Sequence, residues 1–155
     1  MNKEHLNILL ADDDADDCTF FQQALSELKL PMNFIAVHDG EQLMEQLTNE
    51  ANTLPTIIFL DLNMPRKNGF ECLLEIKSSE RLHSLPVIIF STSFEQEVVN
   101  KLYESGAQYY IRKPASFAKF KEIIRQVFYN IIVPQNILQP DREEFVLRLQ
   151  TAEYE

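Results

Sequence analysis

Short apolar runs alternate along the chain with stretches whose apolar residues recur every third and fourth position. Residues 8–11, 34–37, 57–60, 87–90 and 109–111 are the apolar runs, each of strand length. Between the first two, Cys18, Phe21, Leu25 and Leu28 mark one face of a helix that Pro31 stops. Leu43, Met44 and Leu47 form the inner face of a short second helix, entered through a turn at Asp39-Gly40. Beyond a loop at 65–69, Phe70, Leu73, Leu74 and Lys77 have helical spacing, and residues 78–85 lead the chain back to Pro86. Val98, Val99, Leu102 and Tyr103 give a fourth helical stripe, closed by Gly106 as a C-terminal cap, and Phe117, Phe120, Ile124, Val127 and Ile131 give a fifth. Five strand–helix units predict an α/β fold: an open, doubly wound, five-stranded parallel sheet with helices on both faces. In such a sheet the ligand crevice lies beyond the carboxyl ends of the strands, so those ends are where chemistry is expected.

The chain has 155 residues, enough for one domain and a short appendage. Its 45% hydrophobic and 25% charged residues are the balance of a soluble globular protein with a sizeable core. A net charge of −10 repels a phosphate backbone or anionic lipid, so neither nucleic acid nor a membrane is an expected partner. The apolar runs fall far short of the roughly twenty residues of a membrane helix, and the first seven residues lack a signal-peptide layout, which predicts a cytoplasmic protein. Cys18 and Cys72 have neither C-x-x-C spacing nor a histidine at metal-ligand distance, and read as small core residues. His5, His38 and His83 share no spacing with the acids and read as surface or loop residues.

The strand ends carry the reactive residues. Asp12 and Asp13 follow the first strand, Asp61 the third, Ser91 and Thr92 the fourth, and Lys113-Pro114 the fifth. Carboxylates gathered in one crevice repel one another, and a hard divalent cation with oxygen ligands, Mg²⁺ above all, relieves that repulsion. A carboxylate such as Asp61 can attack phosphorus, with the metal, a lysine and a hydroxyl shielding the anionic phosphoryl group. Each residue also has a plainer reading. The run Asp12-Asp13-Asp14 with Asp16 and Asp17 suits a helix start, a role assigned to Asp14 and Asp17. Ser91 or Thr92 could cap the next helix, and Lys113 could be a structural counter-ion. An unpaired carboxylate at the end of so apolar a strand as 57–60 costs free energy, so Asp61 is better explained by function.

Four motifs in this order resemble the receiver domain of two-component response regulators, over roughly residues 7–131. They are the acidic cluster ending residues 8–14, Leu60-Asp61-Leu62-Asn63-Met64-Pro65 with Gly69 following, residues 86–91, and Tyr110-Ile111-Arg112-Lys113-Pro114. The resemblance implies a flavodoxin-like strand order, 2-1-3-4-5. It makes Asp61 the phosphoacceptor, has Asp12, Asp13, Asp61 and the backbone carbonyl of Asn63 hold Mg²⁺, and puts Lys113 on the phosphoryl oxygens. Ser91 becomes the hydroxyl that meets the phosphoryl group, preferred over Thr92, and Tyr110 an aromatic switch. Asn63 and Ser93 flank the path of hydrolytic water, and the Lys113–Pro114 bond is cis. Ser91 stands where the family more often has threonine, and Arg112 where it often has an apolar residue. The implied partners are a sensor histidine kinase or phosphotransfer protein and a downstream protein, with a homodimer as a further candidate. The implied contact face is the fourth helix, fifth strand and fifth helix, where Tyr103, Tyr109 and Tyr110 fall. Such a domain is not an enzyme beyond catalysing its own phosphorylation and dephosphorylation.

Residues 1–133 are thus expected to form the receiver domain. Residues 134–155 form a C-terminal extension, too short to be an independent domain, that makes a short helix or strand packing on its own domain or exchanging between protomers. Three rivals remain. A haloacid-dehalogenase-like phosphohydrolase would place a second aspartate two residues after the nucleophile, where this chain has Asn63. A flavin-binding module would need an anion-binding loop where this chain has three aspartates. A pseudo-receiver would bind its partner without phosphorylation, against which the intact Asp12, Asp13, Asp61 and Lys113 argue.

Overall fold

A computed structural model describes residues 5–135 and 137–149. Strands and helices alternate as β1 (Leu6–Ala11), α1 (Ala15–Ser26), β2 (Met32–Val37), α2 (Gly40–Thr48), β3 (Ile57–Leu60), α3 (Gly69–Ser78), β4 (Val87–Ser91), α4 (Gln96–Glu104), β5 (Tyr109–Arg112) and α5 (Phe117–Val127). A turn of π-helix, Phe128–Ile132, continues α5, and a 3₁₀ turn, Arg142–Glu144, leads into a two-residue strand β6 (Val146–Leu147). The sheet order is β2-β1-β3-β4-β5-β6, with every pair parallel. The expected five-stranded order is present, and a sixth strand extends it.

Both sheet faces are covered, which is why the inner strands are continuous apolar runs. Side chains alternate between two cores: Ile8, Leu10, Ile57, Phe59, Ile88 and Phe90 join one cluster, while Leu9, Ala11, Ile58, Leu60, Val87 and Ile89 join the other. The first cluster packs under α1 and α5 through edge-on and stacked rings of Phe21, Phe59, Phe90, Phe120 and Phe128. The second packs under α2, α3 and α4.

Local signals account for most helix ends. Asp14 is the N-cap of α1, accepting from the backbone N–H groups of Asp16 and Asp17. Asn68 and Glu71 form a reciprocal capping box at α3. Gly106, at φ 103°, ends α4 as expected: its N–H reaches the Tyr103 carbonyl and the Ala107 N–H the Leu102 carbonyl, a Schellman closure. Asp39-Gly40 is not a free turn, because Asp39 caps α2 by accepting from the Gln42 N–H and Gly40 opens the helix. The expected cis Lys113–Pro114 bond is absent: there is no cis peptide bond among the described residues. The trans form is the lower-energy isomer of such a bond, and Lys113 still donates its N–H to the Ser91 carbonyl at 2.9 Å.

The extension packs beside β5 and Tyr103, along part of the expected contact face. Tyr110 donates its N–H to the Phe145 carbonyl at 3.0 Å, and β6 then pairs with β5, closing what would be an edge. Phe145 is buried against Tyr103 and Tyr110, with ring centroids at 5.1 and 6.5 Å. The Tyr103 hydroxyl donates to the Pro140 carbonyl, and Gln139 donates to the carbonyls of Tyr103 and Ala107. Tyr109 and Tyr110 are both buried. Tyr103 and Tyr110 therefore hold the extension against the core, while Tyr109 is buried in the cluster on the other sheet face.

Candidate functional site

The sheet ladder itself aims the reactive side chains. One backbone bond beyond each strand fixes the next residue: Asp12 N–H donates to Val37, Asp61 N–H to Ala11 and Lys113 N–H to Ser91, at 3.0, 2.9 and 2.9 Å. The register pairs Ala11 with Leu60 and Ser91 with Arg112, so Asp12 lies beside Asp61 and Ser91 beside the chain entering Lys113. Gly69 lets α3 start directly against Asp61, since a Cβ there would lie 2.1 Å from the Asp61 carbonyl oxygen.

Lys113 is the hub. Its ammonium lies 2.7 Å from Asp12 Oδ2, 2.8 Å from Asp17 Oδ2 and 3.3 Å from Asp61 Oδ2, with its side chain only 5% exposed and that of Asp12 fully buried. Asp12 Oδ1 also accepts the Asp14 N–H at 2.9 Å. Burial pushes the Asp12 carboxyl up to about 6, against the lowering pull of its bonds to Lys113 and the Asp14 backbone. Burial likewise opposes the charge on Lys113, but its bonds to Asp12 and Asp17 outweigh that cost and hold its pKa above the ordinary lysine value.

On the other side of the crevice, Ser91 is fully buried and accepts the Ser93 N–H at 3.3 Å, while Thr92 is exposed. Neither caps α4, whose N-cap is Glu95. Tyr110 is turned inward. Its hydroxyl donates to the Ser93 carbonyl, its ring meets Phe94 edge-on at 5.9 Å, and burial raises its phenol pKa against a hydrogen bond with Ser91. Asn63 Nδ2 donates to Ser93 Oγ at 3.1 Å, so the two residues expected to flank one path are bonded to each other.

The carboxylates of Asp12, Asp13 and Asp61 can place one oxygen each within 4.8 Å of one another. Hard oxygen donors and a surplus of negative charge over the Lys113 ammonium fit a divalent cation. Two neighbours depart from their sequence readings. Asp17 bonds Lys113 and does more than complement the helix dipole. His38 is exposed in the loop after β2, as read from sequence, and its Nδ1 lies 3.2 Å from the Asp12 carbonyl. Cys18 is half-buried and not core, with its thiol against the same carbonyl and pushed up to about 11, first by burial and then by the carboxylates of Asp12 and Asp17. Cys72 is buried, as expected.

Residues 8–125 match the family model of the response regulator receiver domain, so the chain belongs to that family. It is 30% identical over 124 residues to the response regulator Rcp1 of Synechocystis sp., covering 77% of this chain and 84% of that protein. The crystal structure of the Mn²⁺-bound form of Rcp1 superposes with a TM-score of 0.76 at 29% identity, over 79% of this chain and 91% of that one. The phosphorylated cyanobacterial phytochrome response regulator RcpA superposes with a TM-score of 0.77 at 32% identity, over 83% and 96%. The family, the CheY-like fold and a site suited to a divalent cation thus agree. No described helix is long and apolar enough to cross a membrane.

Proposed function

We propose that Asp61 accepts a phosphoryl group from the phosphohistidine of a sensor histidine kinase or phosphotransfer protein. A carboxylate oxygen of Asp61 forms the new O–P bond as the donor's P–N bond breaks, and the imidazole leaves with the bond's electron pair. The observation that carries this reading is the Asp61 carboxylate at the end of a buried strand, 3.3 Å from the Lys113 ammonium and grouped with two further carboxylates. Mg²⁺, held by Asp12, Asp13, Asp61 and the Asn63 carbonyl, would supply positive charge to the phosphoryl oxygens. Lys113 supplies a second positive charge by exchanging its Asp61 contact for a phosphoryl oxygen. Ser91 then offers its hydroxyl to the modified side chain, and Tyr110, bonded beside it, shifts the packing of β5 and the extension. In this reading the protein acts in the cytoplasm, catalyses only its own phosphorylation and dephosphorylation, and passes its signal to a protein partner, a second copy included.

The test is intact-mass spectrometry after incubation with acetyl phosphate, with and without Mg²⁺. The expected result is a phosphoryl adduct in the wild type with Mg²⁺ and none in Asp61→Asn. An adduct of equal yield in both proteins would overturn the assignment of Asp61. No adduct in folded wild-type protein would favour a partner-binding role without phosphorylation.

A further inference from the structure

Asp17 lies in the first turn of α1, where an acid ordinarily does no more than complement the helix dipole. Its side chain does something else. The N-cap position is filled by Asp14, which accepts the Asp17 N–H at 3.1 Å, and the Asp17 carboxylate reaches across the sheet to Lys113 at 2.8 Å. A lysine ammonium has three N–H donors, and here three carboxylates take them: Asp12, Asp17 and Asp61. Asp12 and Asp61 also belong to the carboxylate group suited to a divalent cation, whereas Asp17 does not. When a cation or a phosphoryl group claims the oxygens of Asp12 and Asp61, Asp17 is the one of the three that stays available to Lys113.

We infer that Asp17 is a positioning residue for Lys113, anchoring its ammonium beside Asp61 while the other two contacts are exchanged. The inference rests on the proposed phosphoacceptor reading. A flexible four-carbon stem carrying a compact charge has many alternative rotamers, and a fixed acceptor that takes no part in the exchange removes most of them. Asp16 provides an internal control: it lies in the same helical turn and carries the same charge, but is exposed and is not among the three carboxylates bonded to Lys113.

The test is a double-mutant cycle on the rate of adduct formation with acetyl phosphate and Mg²⁺. Asp17→Asn is expected to slow the reaction about tenfold, the scale of one charge-assisted hydrogen bond, while Asp16→Asn leaves it unchanged. In a Lys113→Ala background, which is expected to retain some phosphorylation, Asp17→Asn is expected to have no further effect, because its role runs through the missing amine. Equal slowing by the two aspartate substitutions, or an Asp17→Asn effect undiminished without Lys113, would overturn the inference. A second readout does not depend on phosphorylation. The ¹⁵N signal of the Lys113 ammonium, protected from solvent exchange by its bonds, is expected in the wild type and Asp16→Asn and broadened away in Asp17→Asn. A wild type that takes no phosphoryl group would count against the proposed function alone, and the ammonium signal would still decide the role of Asp17: its persistence in Asp17→Asn would overturn it.

Discussion

Gly69 sets how closely α3 approaches Asp61, and its contact is with backbone, which cannot swing aside. A methyl group there would press on the Asp61 carbonyl oxygen at 2.1 Å and on the Leu62 Cα at 2.9 Å. Gly69→Ala is therefore expected to cost about 3 kcal/mol in urea unfolding, the upper end of overpacking effects, and to slow phosphorylation by displacing Asp61. Unchanged urea midpoint and rate would show that the loop relaxes freely. At this scale the sequence was readable wherever a reactive residue ended an apolar strand, because one ladder hydrogen bond then aims it. Asp12, Asp61, Ser91 and Lys113 are such cases. Asp17 and His38 were not readable: one sits inside a charge run that a helix start explains, and the other meets Asp12 only through a backbone carbonyl 26 residues away.

Two residues of β6 carry no periodicity of their own, which is why the extension reads from sequence only as an apolar segment able to pack. Its place is set by Phe145, which fills the space beside Tyr103 and Tyr110 and hands its carbonyl to the Tyr110 N–H. Phe145→Ala is expected to lower the unfolding free energy by about 3 kcal/mol and to speed amide exchange in β5 along with the extension. Faster exchange confined to residues 139–149, with an unaltered midpoint, would mean that the extension is not part of the cooperative unit. The regular elements were legible because both faces of the sheet are buried, making strands continuous runs and helices one-sided stripes. The stripe through Ile131 was legible too, but periodicity does not reveal that hydrogen bonding widens after Val127 into a π-turn while Phe128, Ile131 and Ile132 stay buried.

Across the whole molecule, burial keeps several weak acids protonated that would ionise sooner in the unfolded chain. The thiols of Cys18 and Cys72 are each raised from 9.0 to about 11, mainly by burial, and the phenols of Tyr109 and Tyr110 are also raised by burial. A group with a raised folded-state pKa contributes stability that is complete below its unfolded pKa and lost as pH climbs through the folded one. Thermal stability is thus expected to be insensitive to these groups below about pH 9 and to fall between about pH 9 and 11, as a melting series would record. A midpoint constant through that window would contradict it. Locating the modified side chain decides whether Asp61 is the phosphoacceptor. Borohydride reduces an acyl phosphate to an alcohol with loss of phosphate, converting a phosphorylated aspartate to homoserine. After treatment with acetyl phosphate and Mg²⁺, reduction and peptide mass mapping, homoserine is expected at position 61 and at no other aspartate. Homoserine at Asp12 or Asp13 with residue 61 unmodified, or none anywhere in folded protein, would contradict it.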